Sequence, residues 1–147
     1  MRNTFNVSLF SVLTVALLTG CNGNKVPPVS ERIAKLWTAQ SVQEGSSTVY
    51  TRNGTSNVRN YANFKLDLSS PPTVKYTAFD NNTFTGQYSI PDDKTLILSN
   101  LNPQPTGSNG TLTFSIDDIG DSNLTLTQKE ASQKTGNTIN KYTLTNP

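Results

Sequence analysis

Residues 63–70 read NFKLDLSS, and this stretch alternates apolar and polar side chains more cleanly than any other part of the chain. Phe64, Leu66 and Leu68 share one parity, whereas Lys65 and Asp67 share the other. Successive side chains of a β-strand point to opposite faces, so this pattern predicts a strand with one buried face and one solvated face.

Similar short runs continue on both sides of this strand. They read WTAQSV from Trp37, STVY ending at Tyr50, TVKYTAF from Thr73, TFTGQYSI from Thr83, TLILS from Thr95, GTLTFSID from Gly110, LTLTQK from Leu124 and INKYTL from Ile139. In WTAQSV, the alternation groups Trp37 with Ala39 and Ser41 on one face. Turn formers separate the runs, among them Asp80-Asn81-Asn82 and Pro91-Asp92-Asp93-Lys94.

The count is eight or nine short strands with almost no helix after Trp37. Strands at this spacing predict an all-β protein whose antiparallel meander closes as a barrel or stacks as a sandwich. An up-and-down barrel of about eight strands is favoured because closure removes exposed strand edges. Before the first strand, Ser30 and Glu31 can begin a short helix of about two turns, with Ser30 as its N-cap.

The beginning of the chain is typical of an exported protein. Arg2 precedes an apolar stretch from Val7 to Leu18, which is too short for a membrane span and is followed by small residues. Leu18-Thr19-Gly20-Cys21 resembles the bacterial lipobox, in which the cysteine becomes a lipid-modified N-terminus. An incidental thiol is the alternative for Cys21. We therefore predict a signal peptide at 1–20, a lipidated tether at 21–29 and one barrel domain at 30–147, with acyl chains such as palmitate holding the protein to the membrane.

The composition excludes most familiar enzyme chemistry. The chain has no histidine and one cysteine, so histidine-dependent triads and histidine-ligated metals are excluded, and lipidation of Cys21 would leave no thiol nucleophile. Lys and Arg number 12 against 10 for Asp and Glu, without a basic cluster, so nucleic acid is not an expected partner. We expect a protein that is not an enzyme and has no cofactor or metal.

The order of the elements resembles that of the lipocalin-like domains found in lipoproteins of Bacteroidetes-type bacteria. The resemblance rests on KLWTAQSV, YANFKLDL, GQYSI, KTLILS, GTLTFSI and DSNLTLT, and it covers roughly residues 30–144. Lipocalins commonly carry Gly-x-Trp at the first strand. Here Trp37 matches the tryptophan, but Lys35 stands at the glycine position. The resemblance implies an eight-stranded up-and-down barrel with a possible apolar cavity.

Seven aromatic residues on the apolar strand faces are the candidate lining of such a cavity: Trp37, Phe64, Tyr76, Phe84, Tyr88, Phe114 and Tyr142. A barrel of eight strands can hold one small ligand, but its own side chains can also fill it, and both alternatives stay open.

Several charged residues are further candidates for a binding or catalytic site. Arg52, Arg59 and Lys75 could neutralise a ligand carboxylate, although solvated surface charge is the simpler interpretation. Asp117, Asp118 and Asp121 are more typical of a turn than of a calcium loop, because the alternate-residue ligand spacing is missing. Asp92 and Asp93 are adjacent and lie in a predicted turn, which does not suit paired catalytic acids.

These observations predict a lipid-anchored envelope lipoprotein whose barrel binds a small apolar ligand or serves as an accessory binding module. The alternative is a filled barrel or sandwich that recognises a protein or a glycan through its outer surface. The residue after Cys21 is Asn22 rather than the aspartate common in inner-membrane lipoproteins, so we expect the outer membrane, with the barrel facing the periplasm.

Overall fold

The computed structural model describes residues 25–147. Cys21 and the predicted signal peptide therefore lie outside the described residues. The chain forms one short helix, α1 (Val29–Arg32), a 3-10 helix (Gln133–Thr135) and nine strands. The strands are β1 (Leu36–Glu44), β2 (Ser47–Thr51), β3 (Lys65–Ser70), β4 (Thr73–Thr77), β5 (Thr83–Asp92), β6 (Thr95–Asn102), β7 (Leu112–Ile119), β8 (Asn123–Gln128) and β9 (Asn140–Thr145).

The strands form a closed antiparallel barrel, which confirms the predicted fold class. Strands β3 to β9 pair in chain order, and β9 pairs with β1 along Thr38–Glu44 to close the sheet. Strand β1 has two partners on its other side. Its first residues pair with β3, as in Trp37 opposite Leu66, and its last residues pair with β2, as in Val42 opposite Tyr50. The barrel thus has eight strands, and β2 is a ninth strand that continues the edge beyond β3.

A β-bulge in β1 changes which residues face the core. The pairing with β9 shifts register between Ala39 and Ser41, so Val42 is fully buried while Ser41 is only partly buried. The prediction that Ser41 shares the face of Trp37 and Ala39 is therefore wrong. A bulge adds one unpaired residue and reverses the alternation beyond it, which the apolar pattern alone does not show.

Helix α1 is shorter than predicted. It makes a single turn, its N-cap is Pro28 and no side chain caps it, so the assignment of Ser30 as N-cap is also wrong. The helix lies at one end of the barrel, where Trp37 Nε1 donates a hydrogen bond of 2.8 Å to the carbonyl of Ile33, the residue that follows the helix. Side chains of Arg32 and Lys35 donate to carbonyls of Ile119 and Asp121 at the β7–β8 turn. We call this end of the barrel the helix end.

Apolar side chains fill the interior of the barrel at its helix end. Fully buried side chains there include Trp37, Leu68 and Leu124, and the inward positions of neighbouring strands are mostly leucine or valine. The opposite end, which we call the loop end, carries the longer connections: 52–64, 78–82, 103–111 and 129–139. Within residues 25–147, no helix is both long and apolar enough to cross a membrane.

Candidate functional site

A cleft of about 310 Å³ opens at the loop end of the barrel. Three connections surround it: the β4–β5 loop, the β6–β7 loop and the β8–β9 loop. Its volume is at the lower limit of small-molecule sites, which are typically about 300–1,000 Å³. The loops supply the walls, and the inward-facing ends of the strands supply the floor.

The floor combines aromatic and uncharged polar side chains. Its inward positions carry Tyr76 on β4, Phe84 on β5, Leu112 on β7, Gln128 on β8, and Asn140 with Tyr142 on β9. The rings of Tyr76 and Phe84 stack with centroids 5.7 Å apart. This mixture suits a ligand with both apolar surface and hydrogen-bonding groups.

The floor carries no charge at neutral pH. Burial raises the pKa of the Tyr142 hydroxyl to about 12. Burial and the nearby Tyr142 also raise the pKa of Tyr76 well above its ordinary value. Both hydroxyls therefore remain protonated near pH 7 and can act as neutral donors or acceptors.

A hydrogen-bond network fixes the wall that descends from the β8–β9 loop. Thr138 Oγ1 donates to Asn140 Oδ1 at 2.7 Å, and Asn140 Nδ2 donates to Thr135 Oγ1 at 3.0 Å and to the Tyr142 hydroxyl at 3.3 Å. Thr135 and Asn140 are both buried. Since their polar groups are satisfied, this wall is held in one geometry.

Two ionic groups bridge the mouth of the cleft. Lys134 Nζ lies 2.6 Å from Asp80 Oδ2, which joins the β8–β9 loop to the β4–β5 loop. The same ammonium lies 5.2 Å from the centroid of the Phe84 ring. Although partial burial opposes it, hydrogen bonds from Lys134 and Asn82 lower the pKa of the Asp80 carboxyl, so the pair is ionised at neutral pH.

The β6–β7 loop contacts the β8–β9 loop at Gly107. A Cβ atom on this residue would lie 2.6 Å from Gln133 Cδ, and the backbone there has a φ of 76°, which favours glycine. The two loops therefore meet closely beside the cleft, and the glycine permits their approach.

All seven aromatic residues proposed as cavity lining are buried, but only some of them reach the cleft. Tyr76, Phe84 and Tyr142 line it, whereas four of the seven lie in the packed core: Trp37, Phe64, Tyr88 and Phe114. Phe64 stacks on Tyr142 at 5.1 Å, and Tyr88 donates a hydrogen bond of 2.9 Å to the Leu68 carbonyl. Filled barrel and open cavity thus coexist at different heights in the barrel.

The charged candidates serve the scaffold. The Arg52 guanidinium donates a hydrogen bond of 2.7 Å to the Ala39 carbonyl. Ala39 lies between the part of β1 that pairs with β3 and the part that pairs with β2. Arg59 Nε lies 2.6 Å from Glu44 Oε1. Lys75 is exposed on the outer face of β4.

The acidic residues lie in turns and outer strand positions. Asp117 accepts a hydrogen bond from Thr127 and Asp118 accepts one from Asn123. Asp92 accepts the Lys94 amide in the β5–β6 turn. Across residues 25–147, no three acidic, histidine or cysteine side chains are grouped as a metal site would require.

The sequence interpretation missed Gln128 and Asn140. A signal for both was present, because Gln128 has the same parity as the buried Leu124 and Leu126, and Asn140 has that of Tyr142 and Leu144. A polar residue that continues an inward series at the end of a strand points either to a hydrogen-bond network or to a ligand site.

Comparisons of the chain with protein-family models, with curated proteins and with solved structures found no match.

Proposed function

We propose that this protein is a lipid-anchored lipoprotein of the bacterial envelope, lipocalin-like in type, whose barrel binds a small molecule in the cleft at the loop end. The cleft itself carries the proposal. It is concave, it lies at the mouth of a barrel, and it combines aromatic surface with a few convergent polar groups, which is the usual composition of small-molecule sites.

The packing of the barrel supports this choice of site. Below the cleft the interior is filled by side chains such as Trp37 and Leu124, so a ligand has no room near the helix end. The rigid sheet and the hydrogen-bonded wall would present a preformed site, which limits the conformational entropy lost on binding. The ligand of the proposal has an apolar body and is small enough for about 310 Å³.

The proposed location rests on Cys21. Acylation of this residue would tether the barrel to a membrane, and Asn22 favours the outer membrane with the barrel in the periplasm. In the native bacterium, we expect the protein to fractionate with membranes and Cys21→Ser to release it or arrest its processing. Mass spectrometry of native protein that found a free thiol and an intact leader would refute the anchor.

Binding is tested with an environment-sensitive apolar dye added to the full chain. We expect saturable fluorescence enhancement that small apolar competitors reverse. Ala131 is exposed and lines the cleft, so Ala131→Trp should occlude the mouth and abolish the enhancement. Ala62→Trp is the matched control, because Ala62 is also exposed but lies outside this cleft. The proposal fails if binding is absent or if both variants retain it, and the outer-surface alternative then gains support.

A further inference from the structure

One buried polar side chain in the cleft has no hydrogen-bond partner. Apart from tyrosines, four polar residues are buried in the described part of the chain: Thr95, Gln128, Thr135 and Asn140. Three of them are hydrogen-bonded, Thr95 to Asp92 and the other two to each other. The side-chain amide of Gln128 makes no hydrogen bond within residues 25–147; the residue as a whole is only 7% exposed, and its amide keeps contact with the solvent of the cleft.

The position of Gln128 directs this amide into the cleft. It follows Leu124 and Leu126 at the inward positions of β8, and it is one of the residues that line the cleft. Its backbone is paired with Phe114 on β7, so the strand ladder fixes the direction of the side chain. Polar groups in protein interiors are nearly always hydrogen-bonded, so a mostly buried amide that opens onto a cleft and has no partner in the described chain is free to bind water or a ligand there.

We propose, on the basis of the proposed function, that the ligand is a neutral molecule with an amide group, and that Gln128 recognises it. A glutamine side chain offers two N–H donors and one carbonyl acceptor in one plane. A ligand amide presents the complementary donor and acceptor side by side, so it can satisfy both ends of the Gln128 amide at once. An aliphatic chain would leave both ends unsatisfied, at a cost comparable to that of an unmade hydrogen bond.

The charges around the cleft favour a neutral ligand over an anion. Among the described residues, Lys134 is the only cation that lines the cleft, and it is already paired with Asp80 at 2.6 Å. The lining also includes the acidic side chain of Glu130. A carboxylate carried down to Gln128 would lose its hydration without meeting a free positive charge, which is unfavourable.

The test follows the side-chain amide signals of Gln128 by 1H–15N NMR on the labelled full chain. The probes are N-acetylglucosamine, glucose and decanoate. The ring of N-acetylglucosamine has an apolar C–H face that can pack on the aromatic floor, and it carries a neutral amide. Glucose has the same ring without the amide, and decanoate is an apolar anion. We expect saturable shifts of the Gln128 amide and of Tyr142 with N-acetylglucosamine, and at least tenfold weaker binding of glucose and of decanoate.

Two variants complete the test. Gln128→Leu should weaken the binding of N-acetylglucosamine at least tenfold without lowering the thermal midpoint of unfolding, because no hydrogen bond within the protein is lost. Gln87 is an exposed glutamine on the outer face of β5, so Gln87→Leu should change neither the affinity nor the thermal midpoint. The inference is overturned if decanoate binds at least as tightly as N-acetylglucosamine, if Gln128→Leu retains affinity for the sugar, or if it destabilises the fold. If no probe binds and the dye also fails to bind, both the amide assignment and the proposed function are refuted. Dye binding without any response to N-acetylglucosamine overturns the amide assignment alone.

Discussion

Replacement of Glu44 should destabilise the loop end of the barrel more than an ordinary surface substitution would. Glu44 ends β1, and its side chain is 8% exposed. Its carboxylate lies 2.6 Å from Arg59 Nε and accepts a hydrogen bond of 2.8 Å from the Tyr61 hydroxyl. The Arg59 guanidinium in turn lies 4.7 Å from the centroid of the Phe79 ring. Three side chains of the loop end, those of Arg59, Tyr61 and Phe79, thus depend directly or indirectly on this carboxylate.

The expected loss in the free energy of unfolding depends on how far Glu44 and Arg59 are buried. Loss of one partner of a fully buried pair costs about 3–5 kcal/mol, whereas exposed pairs contribute about 0–1 kcal/mol. The Arg59 side chain is 34% exposed, but its Nε atom is buried and has no other partner in the described part of the chain. We therefore expect Glu44→Gln to cost about 2 kcal/mol, between these limits. Glu44→Ala also removes the acceptor for Tyr61 and should cost about 1 kcal/mol more.

The assay is urea unfolding followed by the fluorescence of Trp37, the only tryptophan of the chain. A double-mutant cycle with Arg59→Met isolates the coupling energy between the two residues. Glu130→Gln is the control, because Glu130 is exposed and makes no ion pair within residues 25–147. A coupling energy below about 0.5 kcal/mol, which is the error of additivity, would refute the reasoning.

Three further perturbations test other parts of the structure. Arg52→Lys should lower the free energy of unfolding by about 1–2 kcal/mol, because lysine cannot reproduce the paired donation from Nε and Nη2 to the Ala39 carbonyl; an unchanged urea midpoint would contradict this. The folded-state pKa of Tyr142, about 12, exceeds its unfolded value, so its contribution to stability is complete below pH 10 and is lost between pH 10 and 12. Stability in urea should fall by about 1 kcal/mol per pH unit across that window for this residue, and less steeply in Tyr142→Phe. Trp37→Phe removes the hydrogen bond to the Ile33 carbonyl and leaves a cavity, so circular dichroism should show a loss of about 2 kcal/mol; retention of the wild-type thermal midpoint would argue against a role of the helix in closing the barrel.

The fold was predictable where apolar and polar residues alternate strictly along a strand. In β3 and β8 the apolar residues keep one parity from end to end, and these strands lie where the sequence predicts them. Strand β1 breaks the rule because its bulge changes the inward residue from Ser41 to Val42. The bulge is defined by the pairing of β1 with β9, which is distant in sequence, so the apolar pattern of β1 alone does not show it.

The candidate site was predictable only in its aromatic part. Tyr76, Phe84 and Tyr142 follow from strand parity, since inward aromatic residues near the strand ends can reach a barrel mouth. The walls depend on how three loops meet, as at Gly107 against Gln133, and such contacts between distant segments leave no periodic signal. Gln128 was missed because a single polar residue at the end of an apolar series looks like the start of a turn.

The cleft lies at the loop end because of which residues occupy the inward strand positions. At the helix end these positions carry Leu68 and Leu124, and Trp37 adds its ring beneath α1, so apolar volume fills the space. At the loop end the inward positions include Ala78, whose side chain is too small to fill the space inside the barrel. They also include Asn140, whose side chain is held by hydrogen bonds to Thr135 and Thr138. Side chains of that kind cannot collapse into the gap without breaking those bonds or leaving polar groups unpaired. The same polar groups that prevent the barrel from filling therefore define what a ligand must offer to occupy it.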